Sequence, residues 1–148
     1  MQSNLCVVGF AHRGYAPKPV WGCPFLNLNK MIDNKQLQHI QSIQKILLAK
    51  MPFAQRYVSR KLRQANIPHI LEYCLMNEDQ FYFVDVFFIG TNKYLELDGR
   101  HHKEGKQRND DKYRRSYIRK HFNLKEYRLK NTKAIKMSGQ ELKEFMDI

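Results

Sequence analysis

Asp85 stands inside the apolar run Phe81 to Ile89, and Glu96 and Asp98 follow two residues apart in the segment Lys93 to Asp98. An unpaired charge in an apolar strand is costly, so an acid placed there needs a reason. On a strand, the spacing of two puts Glu96 and Asp98 on one face with Tyr94 beside them. Three acids in one hairpin require a neutraliser, and oxygen donors of this kind suit a divalent cation such as Mg²⁺ or Mn²⁺. A cation held in such a pocket polarises a phosphate and lowers the pKa of its bound water. The pattern therefore points to metal-dependent cleavage of phosphodiester bonds.

For Asp85 to face the other two acids, the strands must pair so that opposed residue numbers sum to 181 or 183. Opposed Cβ atoms then lie about 5 Å apart, close enough for one ion to bridge two carboxylates. The short connector Gly90-Thr91-Asn92 permits either register, and Asn77-Glu78-Asp79-Gln80 joins Phe81 to Ile89 to an earlier strand, His69 to Met76. Upstream, Asp33 and Gln36 resemble a capping box for a helix to about Lys50, with Leu37, Ile40, Ile43, Ile46 and Leu47 as its apolar stripe. Pro52 opens a second helix to about Asn66, with Phe53, Tyr57, Val58, Leu62 and Ala65 directed inward. Downstream, a loop from Gly99 to Gln107 leads to a helix from about Arg108 to Phe122, a strand from Glu126 to Lys130, and a last helix capped by Ser138 and Glu141. On the helix from Arg108, the residues Asp111, Arg114, Ile118 and Phe122 share one stripe, so Asp111 points toward the sheet.

The order ααβββαβα predicts an α+β (α/β-like) domain over residues 33–148, with a mixed sheet of about four strands flanked by helices. Residues 1–32, punctuated by Gly9, Gly14, Pro17, Pro19, Gly22 and Pro24, read as an irregular N-terminal arm or subdomain. Within it Cys6, His12 and Cys23 fit no standard zinc spacing, and Tyr15 and Trp21 among Arg13 and Lys18 suit stacking on bases.

The 148 residues carry a formal charge of +12. From Arg100 to Lys136 there are fourteen Lys and Arg against four acids, so almost all of the excess lies in one segment directly after the acidic hairpin. Basic residues beside an acidic pocket are what a polyphosphate substrate requires. The candidate phosphate contacts are Arg100, Lys103, Lys106, Arg108, Lys112, Arg114, Arg115, Arg119 and Lys120. No apolar stretch approaches the length of a membrane span. The three unpatterned cysteines and the absence of a leader-like start predict a reducing, cytoplasmic setting.

Each residue alone has a plainer reading. Asp85 can be a core acid bonded to backbone amides, Glu96 and Asp98 the surface of an edge strand, and His102 a loop residue. Asp111 can be an acid complementing a helix dipole. Their joint order is what points to a site. That order, an Asp strand, a turn, Glu-x-Asp-Gly-x-x-His, then Asp-x-x-Arg on a helix, resembles the PD-(D/E)XK nuclease superfamily. The branch it is most similar to is the small nucleases related to very-short-patch repair endonucleases and the phage homing enzymes with an EDxHD site. The resemblance covers about Pro52 to Ile135.

The resemblance implies a restriction-endonuclease-like core and a Mg²⁺- or Mn²⁺-dependent DNA endonuclease in a bacterial or phage-infected cell. It makes Asp85 the strand aspartate on the metal, Glu96 the second acid, and His102 the histidine that assists water or phosphate. It makes Asp111 and Arg114 the helix pair that closes the site. Asp98 stands where many members have lysine, leaving His102, Lys112 or Arg114 to supply positive charge. The family's first-helix glutamate corresponds by spacing to Gln55, which keeps an oxygen acceptor but loses the charge. That departure leaves open a weakened or inactive nucleic-acid-binding protein, and the scaffold leaves open an RNA-cleaving enzyme.

Overall fold

The computed structural model describes residues 33–77, 80–99 and 105–148, without the side chains of 105–108. The N-terminal arm, with its cysteines and aromatics, lies outside the described residues, as do Arg100, His102 and Lys103.

Asp33 caps α1 (Asn34–Ala49) by accepting from the Lys35 amide at 3.2 Å. Pro52 opens α2 (Phe53–Gln64), and a left-handed Asn66 (φ 55°) ends it and turns the chain into the sheet. Then come β1 (His69–Met76), β2 (Phe81–Phe88), β3 (Lys93–Asp98), α3 (Gly105–Phe122) and β4 (Lys125–Lys130). One turn of helix, α4 (Asn131–Ala134), and α5 (Gly139–Met146) complete the domain, with the predicted capping box formed between Ser138 and Glu141. The expected order ααβββαβα is correct except for α4, whose four residues are too few to carry a helical period.

The sheet order is β1-β2-β3-β4, antiparallel between β1, β2 and β3 and parallel between β3 and β4, with α3 as the crossover. This is a mixed four-stranded sheet flanked by helices, the predicted α+β architecture. One core joins Val58 and Leu62 of α2 to Val86, Phe88, Leu95 and Leu129 of the sheet and to Leu142 and Met146 of α5. A second sets Ile118 and Phe122 of α3 against Tyr73, Val84, Phe87 and Tyr94. A third, smaller cluster seats Ile40 of α1 on Cys74 and Met76.

Two inward stripes differ from expectation. Phe53 is 71% exposed and stacks on Tyr57 at 5.6 Å, while Ala54, Gln55 and Ser59 take the buried positions. Ile46 is 52% exposed and Gln44 is buried in its stead. The reason is polar: the Gln44 amide donates to the carbonyl of Glu72 at 2.9 Å, satisfying a strand group that an apolar side chain would leave bare.

That carbonyl belongs to an irregular point in the hairpin. The β1–β2 ladder runs from His69↔Phe88 to Met76↔Phe81 but omits the pair Glu72 and Asp85, and Glu72 has φ 47°. A left-handed backbone costs a non-glycine residue roughly 1–2 kcal/mol. Residues two apart on a strand share a face, yet Leu71 packs with the α2–α5 core and Tyr73 with the α3 core. On β2, Val86 and Val84 divide the same way. The alternation therefore slips by one in both strands at the same pair, and the register on either side is preserved.

α5 docks closely on the end of α2. A Cβ on Gly139 would lie 2.6 Å from Ala65 Cβ and 2.7 Å from the Lys61 carbonyl oxygen. Lys61 Nζ in turn donates to the carbonyls of Ile135 and Met137, fastening the approach to the helix. Gly139→Ala must push α5 outward and is expected to lower the unfolding free energy by roughly 1–3 kcal/mol, as overpacking does. Thermal or urea denaturation measures this, and an unchanged midpoint would mean that α5 does not dock so closely.

Candidate active site

β2 and β3 pair only at Val86↔Leu95 and Phe87↔Tyr94, which is the 181 register. Beyond those pairs the strands part, and a side chain takes over from the ladder. Asp85 Oδ2 accepts from the Leu97 amide at 2.7 Å. The parting opens a cavity of about 530 Å³. Its lining includes Gln55 from α2, Asp85 from β2, Glu96 and Asp98 from β3, and Asp111 and Arg114 from α3. The structure thus brings together the described residues of the predicted catalytic and metal-binding set, with Arg114 beside them, whereas Lys112, Arg115, Arg119 and Lys120 lie outside the cavity lining.

Four further polar lining residues were missed in the sequence: Lys50, Glu72, Arg128 and Asn131. Glu72 had a usable signal. A hairpin closed at Met76 and Phe81 sets it opposite Asp85, and the cost argument applied to Asp85 applies equally to an acid inside the strand His69 to Met76. Arg128 and Asn131 had none, because nothing local shows that the parallel strand β4 brings them to β3.

Burial governs the electrostatics. Glu96 is 7% exposed, and its carboxyl is pushed up to about 8, first by desolvation and then by the charge of Asp85. Arg114 opposes this from 2.8 Å, and the same guanidinium donates to the Phe83 carbonyl. Desolvation also raises Asp85, against the Leu97 amide, and raises Glu72, against a hydrogen bond from Gln55. Asp98 is paired with Arg128 at 2.7 Å, and Arg128 also reaches Glu126 at 2.9 Å. Two arginines, neither assigned by sequence to neutralising these acids, thus share the task first given to a cation.

Among the described residues, no three His, Cys, Asp or Glu side chains converge as a ready coordination sphere. The donor set nonetheless fits a hard cation, which prefers oxygen ligands. Glu72, Asp85, Glu96 and Asp98 all stand on the cavity wall, as does Asn131, whose Oδ1 is buried without a hydrogen-bond partner among the described residues. A cation near Asp85 and Glu96 would offset the burial cost that drives both toward protonation.

Of the predicted phosphate contacts, Lys112, Arg119 and Lys120 are exposed on α3. Arg115 is half exposed but paired with Glu126 at 3.0 Å, and Arg114 is turned into the cavity. Glu126 on β4 thus holds the Arg115 guanidinium while half of the side chain stays exposed. Lys106 and Arg108 lie on α3 with side chains outside the description.

Fold and site define an α+β domain with an acid-lined cavity where two central strands diverge. No family model matches the chain, no curated protein matches it, and no solved structure matches it. Among the described residues, no helix is long and apolar enough to cross a membrane.

Proposed function

We propose that this chain is a Mg²⁺- or Mn²⁺-dependent nuclease that hydrolyses phosphodiester bonds in DNA within the cytoplasm. One observation carries the reading: acids from two strands and an acid–arginine pair from α3 meet in one cavity, in the register that the chemistry requires. Asp85 and Glu96, with Asp98 beside them, are the residues that would hold the cation. The cation supplies polarisation of the phosphate and an acidic bound water. Arg114 places positive charge where a phosphoryl oxygen gains negative charge, and Asp111 shares its cavity wall. His102 remains the proposed proton carrier on the strength of the motif.

A second reading has a specific observation behind it. Arg114 and Arg128 already satisfy Glu96 and Asp98, and Gln55 is neutral, which also suits a nucleic-acid-binding protein without cleavage. Incubation with matched DNA and RNA in Mg²⁺ or Mn²⁺ separates the readings. Cleavage of DNA supports the proposal, preferential cleavage of RNA moves the substrate, and binding without cleavage favours the second reading.

Binding should also weaken steeply with salt. Of the nine candidate contacts, Arg114 is turned inward and Arg115 is paired with Glu126, which leaves seven; with about three to five of these on phosphates, log K should fall with log salt at a slope near −3 to −4.5. A slope near zero in a fluorescence-anisotropy titration would reduce the basic segment to a solvated face.

A further inference from the structure

We infer that Glu72 is a metal-facing acid of this cavity and that Gln55 is its positioning residue, the negative charge being carried by the strand and the amide by the helix. The inference rests on the proposed metal-dependent reading and concerns which residues build the site.

Glu72 is 7% exposed, stands opposite Asp85 and lines the same cavity. Its backbone adopts φ 47°, a conformation that persists in a non-glycine residue only when its surroundings hold it. Here they do. Gln44 of α1 donates to its carbonyl, and Gln55 Nε2 donates to its Oε1 at 2.9 Å. The same Gln55 nitrogen donates its other proton to the Asp85 carbonyl, again at 2.9 Å. Glu72 Oε1 is therefore taken, while Oε2 accepts no hydrogen bond among the described residues.

A carboxylate at position 55 has no proton to give and would lose both bonds. The amide is thus the residue type that this position demands once the acid is at 72. Through one side chain it ties the Glu72 carboxylate to the backbone of Asp85, so that acids from two strands are set relative to each other. An acid buried this deeply, with one oxygen oriented by an amide and the other left over, is placed as a cation ligand would be.

The test is calorimetric titration of the full chain with Mn²⁺ alone, alongside thermal melting, for the parent, Glu72→Gln, Gln55→Glu and the double exchange Gln55→Glu/Glu72→Gln. Glu72→Gln should weaken Mn²⁺ binding about tenfold or more without lowering the melting temperature, since it removes a buried charge. Gln55→Glu alone sets two carboxylates together and should lower the melting temperature of the metal-free protein. The double exchange again opposes one amide to one carboxylate and should recover most of the Mn²⁺ affinity. Its melting temperature should recover only in part, because the bond to the Asp85 carbonyl stays lost. If Glu72→Gln binds Mn²⁺ like the parent while Asp85→Asn does not, Glu72 is structural and the inference falls with the metal reading intact. A folded double exchange that recovers no affinity overturns the pairing. If the parent itself binds no Mn²⁺, the metal reading fails and takes the inference with it.

Discussion

Asp85→Asn is expected to lower the rate of DNA cleavage about a hundredfold or more while leaving the protein folded. Asparagine retains an oxygen that can accept from the Leu97 amide, as Asp85 Oδ2 does at 2.7 Å, but it gives up the charge that a cation needs. Asp85→Ala removes both. It leaves the Leu97 amide unpaired at the point where β2 and β3 part, at a cost of roughly 1–3 kcal/mol. Relief of the repulsion between Asp85 and Glu96 offsets part of that cost. The two variants should therefore be equally inactive and differ in stability. Single-turnover cleavage of supercoiled plasmid in Mg²⁺, with urea denaturation of each variant, measures both effects. Parent-like cleavage by Asp85→Asn would remove this residue from the chemistry.

The second large effect is in pH. In the folded protein Glu96 titrates at about 8, far above its ordinary 4.5, because it is buried beside Asp85. A carboxyl raised by folding stabilises the native state fully below its unfolded pKa and loses that contribution as pH rises through the folded value. The metal-free protein should thus be most stable in mild acid and weaken from about pH 5 to about pH 8, by at most about 1.4 kcal/mol per pH unit from this one group. Asp85 and Glu72, also raised by burial, act in the same direction. Cation binding must displace the Glu96 proton, so Mn²⁺ affinity should rise with pH up to about 8 and then level. Glu96→Gln should flatten the metal-free stability profile. In Asp85→Asn its upper inflection should move to lower pH, because the second cause of the shift is gone. A stability profile that is flat from pH 5 to 9 in the parent would contradict the buried state of Glu96.

Much of this arrangement is legible in the sequence. Hydrophobic runs bounded by Pro52 and Gly90-Thr91-Asn92 located the helices and strands, since these residues restrict or free the backbone locally. An acid within an apolar strand marked Asp85, and geometry narrowed the register to two, of which the structure adopts the one summing to 181. Three things stayed hidden, each for a physical reason. The inward faces of α1 and α2 were misread because Gln44 and Gln55 are buried by hydrogen bonds to the hairpin, while Ile46 and Phe53 are left outside. Hydrophobic periodicity does not register such polar contacts. The left-handed backbone at Glu72 has no signature in composition, although its place opposite Asp85 could have been read from the hairpin. Arg128 approaches Asp98 only through the parallel pairing of β3 with β4, a contact across thirty residues of sequence.

The slip in alternation at Glu72 and Asp85 also bears on how the hairpin finds its alignment. An ordinary hairpin that slides by two residues still turns the same faces inward, so alternation alone does not exclude that slide. Here the two strands carry matching notches. A slide of two would offset the two notches, and the residues between them on one strand would face the wrong helix. The pair works as an index mark with one seating, and the amides of Gln44 and Gln55 close on it only when it is seated. The carboxylates that line the cavity are consequently gathered by the same step that proves the strands correctly aligned, and a misaligned chain cannot assemble the acid cluster.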